Sequence, residues 1–139
     1  MTEPITISTI IRVAKEKVWD CYTLPEHIIR WNFATPDWHC PAAHNNLTPG
    51  GTYHARMEAK DGSFAFDFKA TYQQIIPYDS FQFVMDDGRK VHFSLEESEA
   101  GTIVNIAFDA ENVNPVEMQR QGWQAILDNF KNYTESLIF

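Results

Sequence analysis

His54, Arg56 and Glu58 stand at alternate positions, interleaved with Tyr53, Ala55 and Met57. Successive side chains of a strand point to opposite faces, so an imidazole, a guanidinium and a carboxylate would share one face here. Such a patch could hold a carboxylate through a forked guanidinium pair, or move a proton. A solvated outer face is the simpler role, since an antiparallel sheet normally keeps one side wet. Asp37, His39, Cys40 and His44 lie close together in a second group. Carboxylate, imidazole and thiolate all suit zinc, but the spacing fits no metal-binding pattern, and Trp38 and Pro41 interrupt it. His92 falls on the polar side of another alternation, opposite Val91, Phe93 and Leu95. No Ser–His–Asp or Cys–His grouping can be drawn from spacing, so no catalytic residue, metal ligand or cofactor is assigned.

The stronger signal is apolar. Aromatic residues make up 14% of the chain, with ten Phe, five Tyr and four Trp. Rings carry large buried areas, and this many of them point to a core or a cavity wall. The candidate wall comprises Trp31, Phe33, Trp38, Tyr53, Phe66, Phe68, Phe83, Phe108, Met118, Trp123 and Leu127, with Arg56, His54 or Tyr53 to orient a polar end of a ligand. Plain core packing is the competing role for each of these singly. Collectively they suit an apolar pocket carrying a few polar groups.

These side chains need elements to place them. Ile5 to Val13 alternates as a first strand, and Ala14 to Tyr22 then shifts to helical spacing. Thr23-Leu24-Pro25-Glu26 has the form of a capping box for a second short helix bearing Ile28 and Trp31. Asn32 to Thr48 reads as an irregular, proline-broken segment rich in rings, either a lid or a loop tucked onto the core. Hairpins follow Pro49-Gly50-Gly51, with strands over Thr52–Ala59, Phe64–Tyr72, Phe81–Met85, Val91–Leu95 and Thr102–Phe108.

A long helix then opens at Asn114-Pro115-Val116-Glu117, with Asn114 as cap, Pro115 in the first turn and Glu117 closing a capping box. Met118, Trp123, Ile126, Leu127, Phe130, Tyr133 and Leu137 give it one apolar stripe. Gly122, costly inside a helix, fits a close approach between helix and sheet. About six strands segregated from a terminal helix make an α+β fold, in which a curved antiparallel sheet grips the helix and leaves a hollow beside it.

With 139 residues the chain reads as one domain, 1–139. Its net charge of −8, with Lys and Arg scattered, argues against nucleic acid and against stable association with anionic membranes. The Met-Thr-Glu-Pro start has no basic region leading into an apolar stretch, so no export is expected. Two cysteines without repeated spacing fit a reduced, cytoplasmic protein.

Ala14…Val18-Trp19, Pro25-Glu26…Trp31, Pro49-Gly50-Gly51-Thr52-Tyr53, Asp61-Gly62, Tyr72…Ile76-Pro77, Gly101-Thr102-Ile103-Val104 and Gly122-Trp123…Leu127…Tyr133 resemble the homologues of the activator of the heat-shock-protein ATPase. That family lies in the START and birch-pollen-allergen-like (SRPBCC) superfamily, and the resemblance spans essentially the whole chain. It implies a helix-grip fold with two small helices closing one end and an apolar cavity inside. Relatives often begin the first helix with Ala-Pro, where this chain has Ala14-Lys15. The co-chaperones that gave the family its name carry an additional N-terminal domain absent here, so a chaperone partner does not transfer with the fold. Members of the family can pair into homodimers. The resemblance carries no catalytic motif, and three functions stay open: a carrier of a small apolar or amphipathic molecule, a protein-interaction module, and a cyclase- or hydrolase-like enzyme.

Overall fold

The computed structural model describes residues 3–137, so Met1, Thr2, Ile138 and Phe139, at the two ends of the span read as one domain, lie outside the described residues. In chain order the elements are β1 (Ile5–Ile11), α1 (Lys15–Thr23), α2 (Pro25–Trp31), β2 (Trp38–Asn45), β3 (Thr52–Ala59), β4 (Ala65–Ile76), β5 (Ser80–Met85), β6 (Lys90–Ser98), β7 (Gly101–Phe108) and α3 (Val116–Ser136). The seven strands form one antiparallel sheet in the order β1-β7-β6-β5-β4-β3-β2. All neighbours are successive hairpins except β1, which pairs with β7 from Ile5↔Phe108 to Ile11↔Thr102. The sheet curls about α3 in the helix-grip arrangement.

Period-two burial fixes the inner face. Tyr53, Ala55, Met57 and Ala59 of β3 are buried, while the residues between them keep some exposure. Thr102, Val104, Ile106 and Phe108 do the same on β7. On α3, Leu127, Phe130 and Thr134 recur at helical spacing and face this surface. Gly101 has φ +137, and a Cβ there would meet the Ile11 carbonyl oxygen at 2.3 Å, so a glycine is required where β7 starts beside β1. No atom lies within 4 Å of a Cβ built on Gly122, so the close helix–sheet approach expected there is not made.

The unpaired edge of β1 is covered by α3. Arg120 Nη1 donates to the Thr6 carbonyl at 2.9 Å, Gln124 Nε2 to the Ser8 carbonyl at 3.4 Å, and the Arg12 amide to Glu135 Oε2 at 2.9 Å. Open strand edges invite pairing with other chains, and these side chains occupy that template.

Three local expectations fail for identifiable reasons. The stretch expected to be irregular contains β2, paired with β3 from Trp38↔Ala59 to Asn45↔Tyr53, so the sheet has seven strands and this part of the chain is no lid. Its signal is hidden by Pro41, tolerated because the register shifts by a bulge between His39 and Ala42. The capping box at Thr23 does not form: Thr23 Oγ1 donates back to the Trp19 carbonyl at 2.8 Å, and Leu24 precedes α2 with Pro25 in its first turn.

At α3 the cap is also different. Pro115 sits at the boundary without a side-chain cap bond, Glu117 faces Arg120 at 3.3 Å, and the start is closed by Gln119. Gln119 Oε1 accepts the Glu111 amide at 2.9 Å, and its Nε2 donates to the Glu111 and Asn114 carbonyls at 3.0 and 2.8 Å. Gln119 is 8% exposed, so its removal strands these backbone groups in a poorly hydrated place. Gln119→Ala is expected to cost about 1–3 kcal/mol in urea denaturation. An unchanged midpoint would show that the loop holds itself.

Candidate functional site

A cavity of about 430 Å³ lies between the inner face of the sheet and α3. Tyr53 and Met57 of β3, Phe66 and Phe68 of β4, Phe83 and Met85 of β5, Val91 of β6 and Ile106 of β7 form its sheet wall. Trp123, Ile126 and Leu127 of α3 form the opposite wall, and Tyr22, Trp31 and Asn32 close it from the side of the short helices. Asp67, Lys69, Asp86, Asp87 and Arg89 complete the lining. Trp123 is positioned by stacking on Phe108, with ring centroids 4.0 Å apart and planes within 11°, and by an edge contact to Phe68 at 6.4 Å. Phe68, Phe83 and Tyr53 hold one another at 5.5–5.9 Å, so the sheet wall is a continuous ring cluster.

Of the residues proposed from sequence, Trp31, Tyr53, Phe66, Phe68, Phe83, Trp123 and Leu127 come together around this cavity. Phe108 lies behind Trp123, 1% exposed, and supports the wall without lining it. Phe33, Trp38, Arg56 and Met118 do not line it. Met118 is 59% exposed because α3 turns that position outward one turn before its buried stripe begins. Trp38 packs at 6.0 Å against both Phe64 and Phe66 at the β3–β4 hairpin, outside the lining.

Arg56 lies on the outer face. Its Nε donates to Glu58 Oε2 at 3.0 Å and its Nη1 to Asp67 Oδ2 at 3.2 Å. His54 Nε2 lies 2.9 Å from Asp67 Oδ1 and His39 Nε2 3.5 Å from Glu58 Oε1, so basic and acidic side chains alternate across β2, β3 and β4. The hydrogen bond from His54, helped by the Arg56 charge, holds the Asp67 carboxyl below the usual carboxylate range. This self-satisfied outer network leaves Arg56 without a reach into the cavity. His92 is also exposed on the outer side, beside Ser94 and Asn105. Among the described residues no three His, Cys, Asp or Glu side chains are grouped to hold a metal.

Beside the five charged side chains the polar lining includes the phenols of Tyr22 and Tyr53 and the amide of Asn32, and spacing alone did not single out Tyr22 or Asn32. Tyr22 reads from spacing only as the end of the first helical stretch, and Asn32 as the start of the segment after Trp31. Asn32 Nδ2 donates to the Tyr53 hydroxyl at 3.4 Å. Tyr72, behind the wall, donates to Asn45 Oδ1 at 2.8 Å, and Asn45 Nδ2 donates to the Thr23 carbonyl at 2.7 Å. Burial raises the pKa of Tyr22, Tyr53 and Tyr72, so all three remain neutral at physiological pH.

Burial likewise pushes the Cys40 thiol up to about 11, against opposing hydrogen bonds to Ala42 and Asn32. Below about pH 9 both folded and unfolded chains hold this proton. Between there and pH 11 the unfolded chain releases it first, so stability falls as pH rises. The expected loss is about 2 kcal/mol over that window, measured by urea denaturation. Cys40→Ala should flatten the decline, and an equal decline in the variant would assign it to other groups.

The comparisons with known proteins agree with this architecture. A solution structure of an AHSA1-like protein from Aeromonas hydrophila is 41% identical, covers 96% of this chain and 92% of its own, and superposes with a TM-score of 0.90. A solution structure from Cytophaga hutchinsonii is 45% identical over 95% of this chain and 92% of its own, with a TM-score of 0.83. A protein from Chromobacterium violaceum, at 17% identity, shares the fold alone, with a TM-score of 0.87 over 98% of this chain and 100% of its own. No curated protein matches. The model of the family described as activator of Hsp90 ATPase homolog 1-like protein matches residues 12–135. Because that match spans most of the sequence, the chain belongs to the activator of Hsp90 ATPase homolog 1-like family.

Proposed function

We propose that this protein binds a small apolar or amphipathic molecule in the cavity between the sheet and α3. The observation that carries the reading is the ring-walled space of about 430 Å³, within the range of small-molecule sites. A packed core of this size would close such a volume, since interiors tolerate few voids larger than a water molecule. Trp123, Phe68 and Phe83 would bury the apolar body of the ligand, and polar groups at the cavity's two ends would set its orientation. The buried thiols of Cys21 and Cys40 suit a reduced, cytoplasmic setting, and no described helix is long and apolar enough to cross a membrane. The net charge of −8 remains unfavourable for nucleic acid.

Native mass spectrometry of the purified protein, beside a denatured control, tests the reading. A retained molecule of roughly a few hundred daltons, released on denaturation, is the expected result. An empty protein that also fails to take up an apolar probe such as benzophenone would overturn it.

A second reading has its own observation. Phe64 and Phe66 are 60% and 42% exposed and join Trp38 in a surface ring cluster, which suits a protein-interaction module. Phe64→Ser should then abolish capture of the partner while leaving cavity probes bound.

A further inference from the structure

Two donors in the cavity are unspent. Tyr53 is 6% exposed, and its hydroxyl takes a long hydrogen bond from Asn32 but gives none among the described residues. Tyr22 lines the same cavity, held between Phe93 and Trp31 with ring centroids at 4.2 and 4.8 Å, and its hydroxyl makes no hydrogen bond among the described residues. Tyr22 and Tyr72 both lie near enough to Tyr53 that a charge on either would raise its pKa further. Tyr72 differs from the other two in that its proton is already given to Asn45. A hydroxyl proton not given within the protein is free to be given to a ligand oxygen.

The surroundings select which oxygen. Tyr22 and Tyr53 each keep a proton that is given to no acceptor among the described residues, so a ligand oxygen that accepts from both fits them. The charged lining consists of two cations, Lys69 and Arg89, and three carboxylates, Asp67, Asp86 and Asp87. Arg89 Nε is already bonded to Asp87 Oδ2 at 2.7 Å. A carboxylate would therefore be desolvated in a lining where carboxylates already outnumber cations. The phenols stay protonated because burial opposes their ionisation, which keeps them donors.

Resting on the cavity-binding reading above, we infer that the ligand is a neutral, ring-bearing molecule with a carbonyl oxygen, held by hydrogen bonds from Tyr22 and Tyr53. The apolar remainder lies against Phe68, Phe83 and Trp123.

Titration calorimetry of the full chain with three probes of one shape tests this: benzophenone, the alkene in which CH₂ replaces its carbonyl oxygen, and diphenylacetate. The ketone is expected to bind about tenfold tighter than the alkene, and the carboxylate weakest of the three. In Tyr22→Phe and Tyr53→Phe the preference for ketone over alkene should shrink, and in the double variant vanish, with alkene affinity little changed. Tyr72→Phe should leave the preference intact. Equal affinity for ketone and alkene in the unaltered protein, a comparison needing no variant, would overturn the inference while sparing the cavity reading. A preference that survives in the double variant would overturn it as well. Binding of none of the three would overturn the cavity reading and this inference together.

Discussion

Trp31→Ala is expected to lower stability by about 3–5 kcal/mol, the largest loss anticipated for any single side chain here. Trp31 is 1% exposed and stacks on Tyr22 at 4.8 Å, with an edge contact to Phe130 at 4.9 Å. Its Nε1 also donates to the Cys21 carbonyl at 2.8 Å, one of the carbonyls left free where α1 ends. One indole thus joins α1, α2 and α3 at the closed end of the fold. Asn129 reinforces the junction by donating its Nδ2 to the Trp31 carbonyl at 2.8 Å. Removing the ring opens a cavity and strands the helix terminus, and both costs add. Trp31→Phe keeps most of the burial and loses the hydrogen bond, so about 1–2 kcal/mol is expected. Urea denaturation of the two variants separates these contributions. A loss below about 1 kcal/mol in Trp31→Ala would mean that neighbouring rings collapse into the space.

Trp123→Ala is expected to weaken binding of an apolar probe by about tenfold to a hundredfold, the value of one large ring's contact surface. Trp123 faces Phe68 across the cavity and rests on Phe108, so it supplies wall on the helix side that no neighbour replaces. It is only partly buried, and its loss should destabilise the fold less than that of Trp31. Met118→Ala, one turn earlier on the same helix and 59% exposed, should leave the affinity unchanged. Calorimetry with benzophenone distinguishes the two. A Trp123→Ala protein that loses stability but binds as before would make Trp123 a core residue only.

How far the sequence reaches is clearest in these two tryptophans. Trp123 sits in a stripe with Leu127 and Phe130 at helical spacing, and periodicity alone puts that stripe against the sheet. The alternation of Tyr53, Ala55 and Met57 assigns the inner face of β3 in the same way, and with it places His54, Arg56 and Glu58 outside. What alternation cannot say is which outer-face charges meet. Asp67 belongs to the next strand, and only the register Arg56↔Asp67 brings it to Arg56 and His54. β2 escaped because Pro41 and a bulge break the period over a short strand, where few residues carry the signal.

The caps failed for a different reason. Thr23 and Asn114 have the right chemistry for helix starts, but Thr23 finds a nearer acceptor in Trp19, and the Asn114 carbonyl is claimed by Gln119. In both cases a different local side-chain-to-backbone bond takes the place of the expected cap. The polar lining of the cavity was the least legible part. Tyr22 and Asn32 come from α1 and from the residue just after α2, Tyr53 from β3, and only the curl of the sheet over α3 brings the three to one space.

The claim on which the functional reading turns is that the cavity, rather than the outer surface, takes the ligand. The most direct measurement is a titration of isotopically labelled protein with benzophenone, followed by amide and methyl NMR shifts. Shifts concentrated at Met57, Phe68, Phe83, Trp123 and Leu127, with His54, Arg56 and Glu58 unmoved, are expected. Shifts confined to Phe64 and Trp38 would instead locate binding on the exposed ring cluster and contradict the cavity as the site.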